Sequence, residues 1–231
     1  MLLLLFLILL LQCASSLDVV PLVDAERAVA GARAAIVRSA VRIASHPLDT
    51  AKTRAQLGIA KKSTPFAGVG MTLAQLPAGA IMVTSFDALR AAGVPRPIAS
   101  AVASVPSLLI KVPLERLKQF EQAGVRGNVR YSGGVAHAAR EFSFNAIQLG
   151  LFDATDGSPW ARGAAAAAVA AVATHPIDVV KTRTMASSIT EIACVRAILA
   201  NEGVRAFALG IVPRVLHSAV GGAAFFGVLD S

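Results

Sequence analysis

Three stretches of this chain place a carboxylate three residues before a lysine, each opening on a proline: Pro47-Leu48-Asp49-Thr50-Ala51-Lys52, Pro113-Leu114-Glu115-Arg116-Leu117-Lys118 and Pro176-Ile177-Asp178-Val179-Val180-Lys181. Residues three apart share one face of a helix, so each stretch presents an acid beside a base. In apolar surroundings opposite charges attract strongly, and they can separate and re-form without any covalent bond changing. The chemistry is that of a latch. The prolines lie 66 and 63 residues apart, and three copies in near-equal register mark an internal repeat. No nucleophile–base–orienter set, metal-ligand cluster or glycine-rich phosphate loop accompanies them, so neither enzyme activity nor a cofactor is expected. Cys13 and Cys194 have no metal or disulfide spacing. His46 and His175 precede signature prolines at matching repeat positions, which gives them a structural reading.

The elements that hold these pairs are apolar. The 231 residues are 55% hydrophobic and 16% charged, with a mean hydropathy of +0.63, whereas soluble domains carry about 25% charged residues. A polytopic membrane protein follows. The net charge of +8 is scattered through apolar segments, which points to anionic lipid or phosphate-bearing partners and away from nucleic acid. Crossing the bilayer takes about 20 helical residues. Six stretches qualify, near residues 25–56, 66–90, 97–122, 132–155, 160–185 and 206–229. Odd spans carry the signature; even spans follow Phe66-Ala67-Gly68, Tyr131-Ser132-Gly133 and Phe207-Ala208-Leu209-Gly210, and end at Phe86-Asp87, Phe152-Asp153 and Leu229-Asp230.

Three repeats result, at 25–90, 97–155 and 160–231. From signature proline to closing aspartate the count is 40, 40 and 54. The surplus falls between Ser188 and Gly203, where Ile189, Ile192, Val195, Ile198 and Leu199 recur at helical spacing, so a short amphipathic helix is expected there and tight connections in the other repeats. Residues 1–16 form a hydrophobic leader. Ala14 and Ser16 suit a signal-peptide cleavage site, but no Lys or Arg precedes the apolar core, so an uncleaved tail fits as well.

Polar residues continue each signature along one face: Arg42, Asp49, Lys52 and Gln56; Lys111, Glu115, Lys118 and Gln122; Thr174, Asp178, Lys181 and then Met185. Ionisable groups on a spanning helix face protein or a water-filled cavity, and the proline kinks the helix near its end. Under pseudo-threefold symmetry, three acids and three bases meet in a ring at one end of a pore. In the fourth span Glu141, Asn145 and Gln148 make a polar stripe, suited to a ligand or to interhelical hydrogen bonds.

The triple P-x-[DE]-x-x-[KR] pattern resembles the mitochondrial carrier family over nearly all of the chain after residue 25. The resemblance implies an all-α membrane protein, with six transmembrane helices in three pseudo-threefold repeats of two. It also implies a small-molecule metabolite moved by alternating access, and a monomer in the mitochondrial inner membrane or, alternatively, the plastid envelope, in contact with the bilayer and its cardiolipin. In that family the lysine of one odd span pairs with the acid of the next, which implies Lys52–Glu115, Lys118–Asp178 and Lys181–Asp49, braced by Gln56 and Gln122. The opposite gate, [FY]-[DE]-x-x-[RK], would use Asp87, Arg90, Asp153 and Asp230. It is complete only at Phe86-Asp87-Ala88-Leu89-Arg90, since Asp156 stands where a base belongs and Ser231 ends the chain.

Wording within the signatures is similar to S-adenosylmethionine carriers: Pro47 to Gln56, Ala139 to Gln148, and Pro213-Arg214 with Gly221-Gly222. By that resemblance the substrate site comprises Arg42, Arg140, Glu141, His217 and Ser218, with Arg140 holding a carboxylate and Glu141 an ammonium group. Arg42 departs from the pattern, because an acid is expected there and a fixed cation repels a sulfonium. Arg33, Arg38, Arg42 and Arg140 leave open a carrier for an anionic nucleotide or keto acid. The incomplete opposite gate leaves open a carrier-fold protein that transports nothing.

Overall fold

The computed structural model describes residues 40–59, 64–125, 132–187 and 189–229. The leader, the first half of the first span with Arg33 and Arg38, and Asp230 lie outside the described residues. Among the described residues all regular structure is helical. Helical residues 40–44 lead into α1 (His46–Leu57), followed by α2 (Val69–Ala74), α3 (Leu76–Ala91), α4 (Arg96–Ala123), α5 (Gly134–Ala154), α6 (Pro159–Ala173), α7 (His175–Ser187), α8 (Glu191–Asn201), a 3-10 turn at Val204–Ala208 and α9 (Ile211–Leu229).

The pattern of burial is inverted relative to a protein folded in water. On α4, Ile98, Val102, Val105 and Leu109 are exposed, while Ser104, Ser107, Lys111, Glu115, Lys118 and Gln122 are buried. Apolar side chains outward and charges inward is the arrangement that hydrocarbon solvent favours. Among the described residues three stretches are long and apolar enough to cross a membrane: Val69–Ala91, Arg96–Ala123 and Val204–Val228. The α6–α7 pair makes a fourth if its 64° bend is taken as one broken span. α5 has 21 residues, yet Arg140, Glu141, Asn145 and Gln148 dilute its apolar character.

The signature proline does not act alike in the three repeats. α1 and α7 begin at His46 and His175, after breaks at Ser45 and Thr174, whereas α4 runs unbroken through Pro106 and Pro113. At the two breaks a histidine meets a carbonyl of the connecting turn: His46 Nε2 lies 2.8 Å from Ala67 O and His175 Nε2 3.1 Å from Leu209 O. In repeat two the same position is Val112, which can form no such bond. The second span also departs from a single helix. It divides at Gln75, just ahead of Pro77, whose ring supplies no N–H to continue the ladder.

Small residues set the tightest crossing. Gly163, Ala166, Ala167, Ala170 and Ala171 are inward-facing on α6, and a Cβ at Gly163 would collide with the carbonyl of Gly222 on α9. Such close backbone approach gives dispersion contacts that larger side chains would prevent. Above it Phe152 and Phe226 stack at 3.9 Å, with Phe225 edge-on to Phe226. The amphipathic helix expected in repeat three is α8. Thr190 caps it, Cys194 and Ile198 are buried against Val179 and Val180, and Ile192 and Leu199 of the expected stripe remain exposed. At its end Arg183 grips Glu202 and holds that carboxylate below its usual range.

Overpacking typically costs about 1–3 kcal/mol, and backbone sits on both sides of the α6–α9 crossing, so Gly163→Val should reach or exceed the upper figure. Gly70→Ala, with open space around it, should be neutral. Thermal unfolding of both variants in detergent checks the contrast.

Candidate functional site

The three signature turns converge. Lys52 Nζ lies 2.8 Å from Asp178 Oδ2, Lys118 Nζ 3.1 Å from Asp49 Oδ2, and Lys181 Nζ 2.8 Å from Glu115 Oε1. Lys118 also reaches Glu115 of its own turn at 2.8 Å. All six side chains are buried. The ring expected from the motif exists, but its pairing runs the other way round from Lys52–Glu115, Lys118–Asp178 and Lys181–Asp49. Each lysine takes the acid of the preceding repeat in cyclic order.

The cause lies in the turns that open the even spans. Gly68, Gly133 and Gly210 adopt left-handed backbone, with φ of 79, 78 and 77°. Each packs on the signature helix of the next repeat: Gly68 on Lys118, Gly133 on Met185 and Lys181, Gly210 on Lys52 and Gln56. A Cβ at any of them would press on that helix, so glycine serves both φ and proximity. The contact brings each lysine beside the repeat that supplies the glycine, and therefore beside that repeat's acid. A second seam follows the same cycle, since Arg54 Nε donates to Gln122 O at 3.3 Å and Arg183 Nε to Gln56 O at 2.8 Å.

Two glutamines brace the ring from one layer away. Gln56 Nε2 donates to Asp178 and Gln122 Nε2 to Asp49, each at 2.9 Å. By the same cycle the third brace would come from residue 185 to Glu115, and residue 185 is methionine. The break in the second span supplies a replacement: Gln75 Nε2 lies 3.2 Å from Glu115 Oε2. No motif in the sequence marks Gln75, because its role depends on where the α2–α3 break falls.

Above the ring lies a space of about 690 Å³, continuous in its lining with a wider cleft of about 1330 Å³. Arg42, Arg140, Glu141, His217 and Ser218 line both. Five residues from three spans are thus brought to one place. Arg140 contacts Glu141, and Lys111 Nζ lies 3.0 Å from Glu141 Oε2. Arg214 lies 3.3 Å from Asp178 and donates to Thr174 Oγ1 at 2.6 Å, so Asp178 has cations on two sides. His217 Nδ1 sits 3.3 Å from Ser45 O. The wider cleft adds Phe86, Phe144, Phe225, Gln148 and Asn145, and Asn145 Nδ2 is buried with no hydrogen-bond partner.

Residues 156–231 match the family model described as mitochondrial carrier protein. The chain is 30% identical to S-adenosylmethionine carrier 1, chloroplastic/mitochondrial, of Arabidopsis thaliana over 88% of its own length and 76% of that protein. It is 31% identical to the S-adenosylmethionine mitochondrial carrier protein homolog of Drosophila melanogaster, over 87% and 89%. The chain belongs to the mitochondrial carrier family. It is a multi-pass membrane transporter, and the ring, the turn glycines and the cleft are parts of one carrier body.

The far end of this carrier is built differently. Asp153 pairs with Arg96 at 3.0 Å, within repeat two, and Arg90 donates to Val94 O at 2.7 Å. Asp153 is therefore turned to the start of α4. Arg162 lies over the Phe152 ring at 4.1 Å, so aromatic contacts crowd this end. Among the polar residues that line the cavity, Gln75 and the buried His137 had no part in the motifs, and Arg214 entered them only as wording shared with the carriers. An arginine or histidine inside an apolar span was the available signal for the last two.

Charge reversal tests the corrected pairing. Removing one partner of a buried pair costs about 3–5 kcal/mol, so Lys118→Asp should abolish uptake by reconstituted carrier. Adding Asp49→Lys should restore part of it, and adding Asp178→Lys should not. The third brace is checked separately. Gln75→Ala should lower the unfolding midpoint by removing a hydrogen bond to a charge, worth about 1.5–3 kcal/mol, and Met185→Gln in that background should recover much of the loss.

Proposed function

We propose that this carrier moves S-adenosylmethionine across an organelle inner membrane, with the signature ring as the closed gate and Arg140–Glu141 as the contact for the substrate's amino-acid end. The observation that carries the reading is the adjacent opposite charges of Arg140 and Glu141 at the boundary of the two cavities. A carboxylate suits the guanidinium bidentately, and an ammonium suits the glutamate. The wider cleft complements the rest of such a ligand. Phe86, Phe144 and Phe225 offer flat apolar surface to a purine, and the unpartnered amide of Asn145 offers a donor to a ring nitrogen.

The ring closes one mouth while the cavity extends toward the ends of α3, α5 and α9, an arrangement suited to alternating access around a fixed site. Breaking six braced charges is the larger barrier, and the aromatic contacts at the other end are the smaller one. The relatives named above are mitochondrial or chloroplastic carriers by title, which supports the mitochondrial inner membrane, with a plastid envelope as the second location. The basic net charge supports a monomer surrounded by anionic lipid, cardiolipin included.

A second reading has its own observation. The space above the ring is lined by seven Lys and Arg side chains against four carboxylates, and Arg42 has no ion-pair partner among the described residues. That excess of positive charge favours a carrier for an anionic metabolite such as a nucleotide or keto acid.

Initial uptake rates in liposomes, normalised to folded protein, separate the two. For S-adenosylmethionine, Arg140→Ala and Glu141→Ala should each lower uptake about tenfold or more, while Arg42→Ala leaves or improves it. For an anion carrier, Arg42→Ala and Arg140→Ala both lose activity, and Glu141→Ala is silent or helpful.

A further inference from the structure

Four residues after the turn glycines Gly68, Gly133 and Gly210 stand Thr72, His137 and Arg214, and all three line the space just above the ring. Repeat symmetry thus makes one layer of the cavity from three different side chains. Arg214 spends its donors inside its own repeat, on Thr174 O at 3.1 Å and Thr174 Oγ1 at 2.6 Å, with Asp178 at 3.3 Å. His137 spends none. It is 2% exposed, and neither ring nitrogen has a hydrogen-bond partner among the described residues. Burying a polar group unsatisfied is costly, so such a group needs a reason. The turn does not supply one, because repeat one builds it on Thr72. The charges that act on His137 are Lys181 of α7, Glu141 and Arg140 of α5, and Glu115 of α4. A second open donor stands one turn away. Arg140 follows His137 by three residues, so the two share a face of α5. Its Nη2 contacts Glu141, but its Nε is buried without a hydrogen-bond partner, and Asp178 Oδ1 is 3.9 Å off, beyond hydrogen-bond reach.

We infer that His137 is a specificity-determining residue that, together with Arg140, seats the carboxylate of the ligand in the narrow space above the ring. The inference rests on the reading of Arg140 as a ligand contact. A neutral imidazole carries one N–H, and Arg140 Nε supplies a second donor on the same face. A carboxylate is planar and has two oxygens, so it can accept from both donors, and a bond to an ionised acceptor is stronger than one between neutral groups. A phosphate brings more negative charge than these two donors offset, beside the carboxylates of Glu115 and Glu141. The seat therefore selects a carboxylate. Amino-acid head groups and keto acids both present that group, so the same seat serves either kind of ligand.

Titration calorimetry on the full-length carrier in detergent tests the seat with pairs of ligands that differ at the carboxylate: S-adenosylmethionine against its decarboxylated analogue, and pyruvate against its methyl ester. Wild type should bind the carboxylated member of one pair more tightly. His137→Leu should weaken that member about tenfold and leave the other unchanged, which narrows the ratio. His137→Thr, which copies repeat one, should narrow the ratio equally, and it decides the matter if the leucine variant does not fold. His137→Gln retains an N–H and should keep most of the preference. A ratio unchanged in the leucine and threonine variants, or an equal weakening of both members, overturns the proposal, as does a glutamine variant as impaired as the leucine one. If wild type binds the pyruvate pair alone, the S-adenosylmethionine reading fails, and the pyruvate ratio decides His137. A wild type that binds only ATP, or no member of either pair, overturns the seat.

Discussion

Burying three carboxylates and three ammonium groups in one ring is tolerable only if every charge meets its opposite and its remaining hydrogen-bond capacity is filled. Desolvation penalises each ion by several kcal/mol, and mutual attraction offsets that loss only when geometry is good. The rest of the structure follows from this demand. Left-handed glycines let neighbouring repeats approach, glutamines add a second donor to the same Oδ2 atoms of Asp49 and Asp178 that the lysines reach, and Gln75 does the same at Glu115 Oε2. Each link of the ring is an ion pair, which can part and re-form without any covalent bond changing.

The repeats are similar but unequal, and the inequalities fall where symmetry could not serve. Histidine ties two of the three signature turns to their connecting loops, and valine replaces it in the second repeat, where the helix runs on through Pro113. Arginine seams join α1 to α4 and α7 to α1, while Phe120 holds the matching position of repeat two and cannot donate. Repeat two is therefore the least tied at its turn. It is also the repeat that supplies Lys111, Arg140 and Glu141 to the cavity. Its turn lacks both the histidine tie and the arginine donor of the other repeats, and Lys111, Arg140 and Glu141 line the cavity instead.

The two ends of the cavity rest on different physics. Buried ion pairs lie at the signature end, where removing one partner leaves the other charge uncompensated. Stacked Phe152 and Phe226, with Arg162 over the ring, crowd the other end. Dispersion and cation–π contacts are individually small.

Much of this was legible in the chain before any coordinates. Three proline signatures in register declare the repeat, and acids three residues from lysines on apolar spans must face inward, because hydrocarbon cannot solvate them. The surplus between Ser188 and Gly203 announces α8. The polar stripe of the fourth span marks Glu141, Asn145 and Gln148, for the same reason that the ring was visible: polarity in an apolar run is costly enough to need a purpose. Pairing was not legible. Spacing along a helix fixes a face, but the direction in which three helices hand charges around a ring depends on which neighbour each turn glycine touches. That contact joins residues about 50 or more apart, so no local pattern records it. Gln75 was hidden likewise, by a helix break that sets its reach, and so was the partner of Lys111, because it lies on a different helix. Local chemistry determined which residues must be buried together, and only the tertiary packing decided which of them meet.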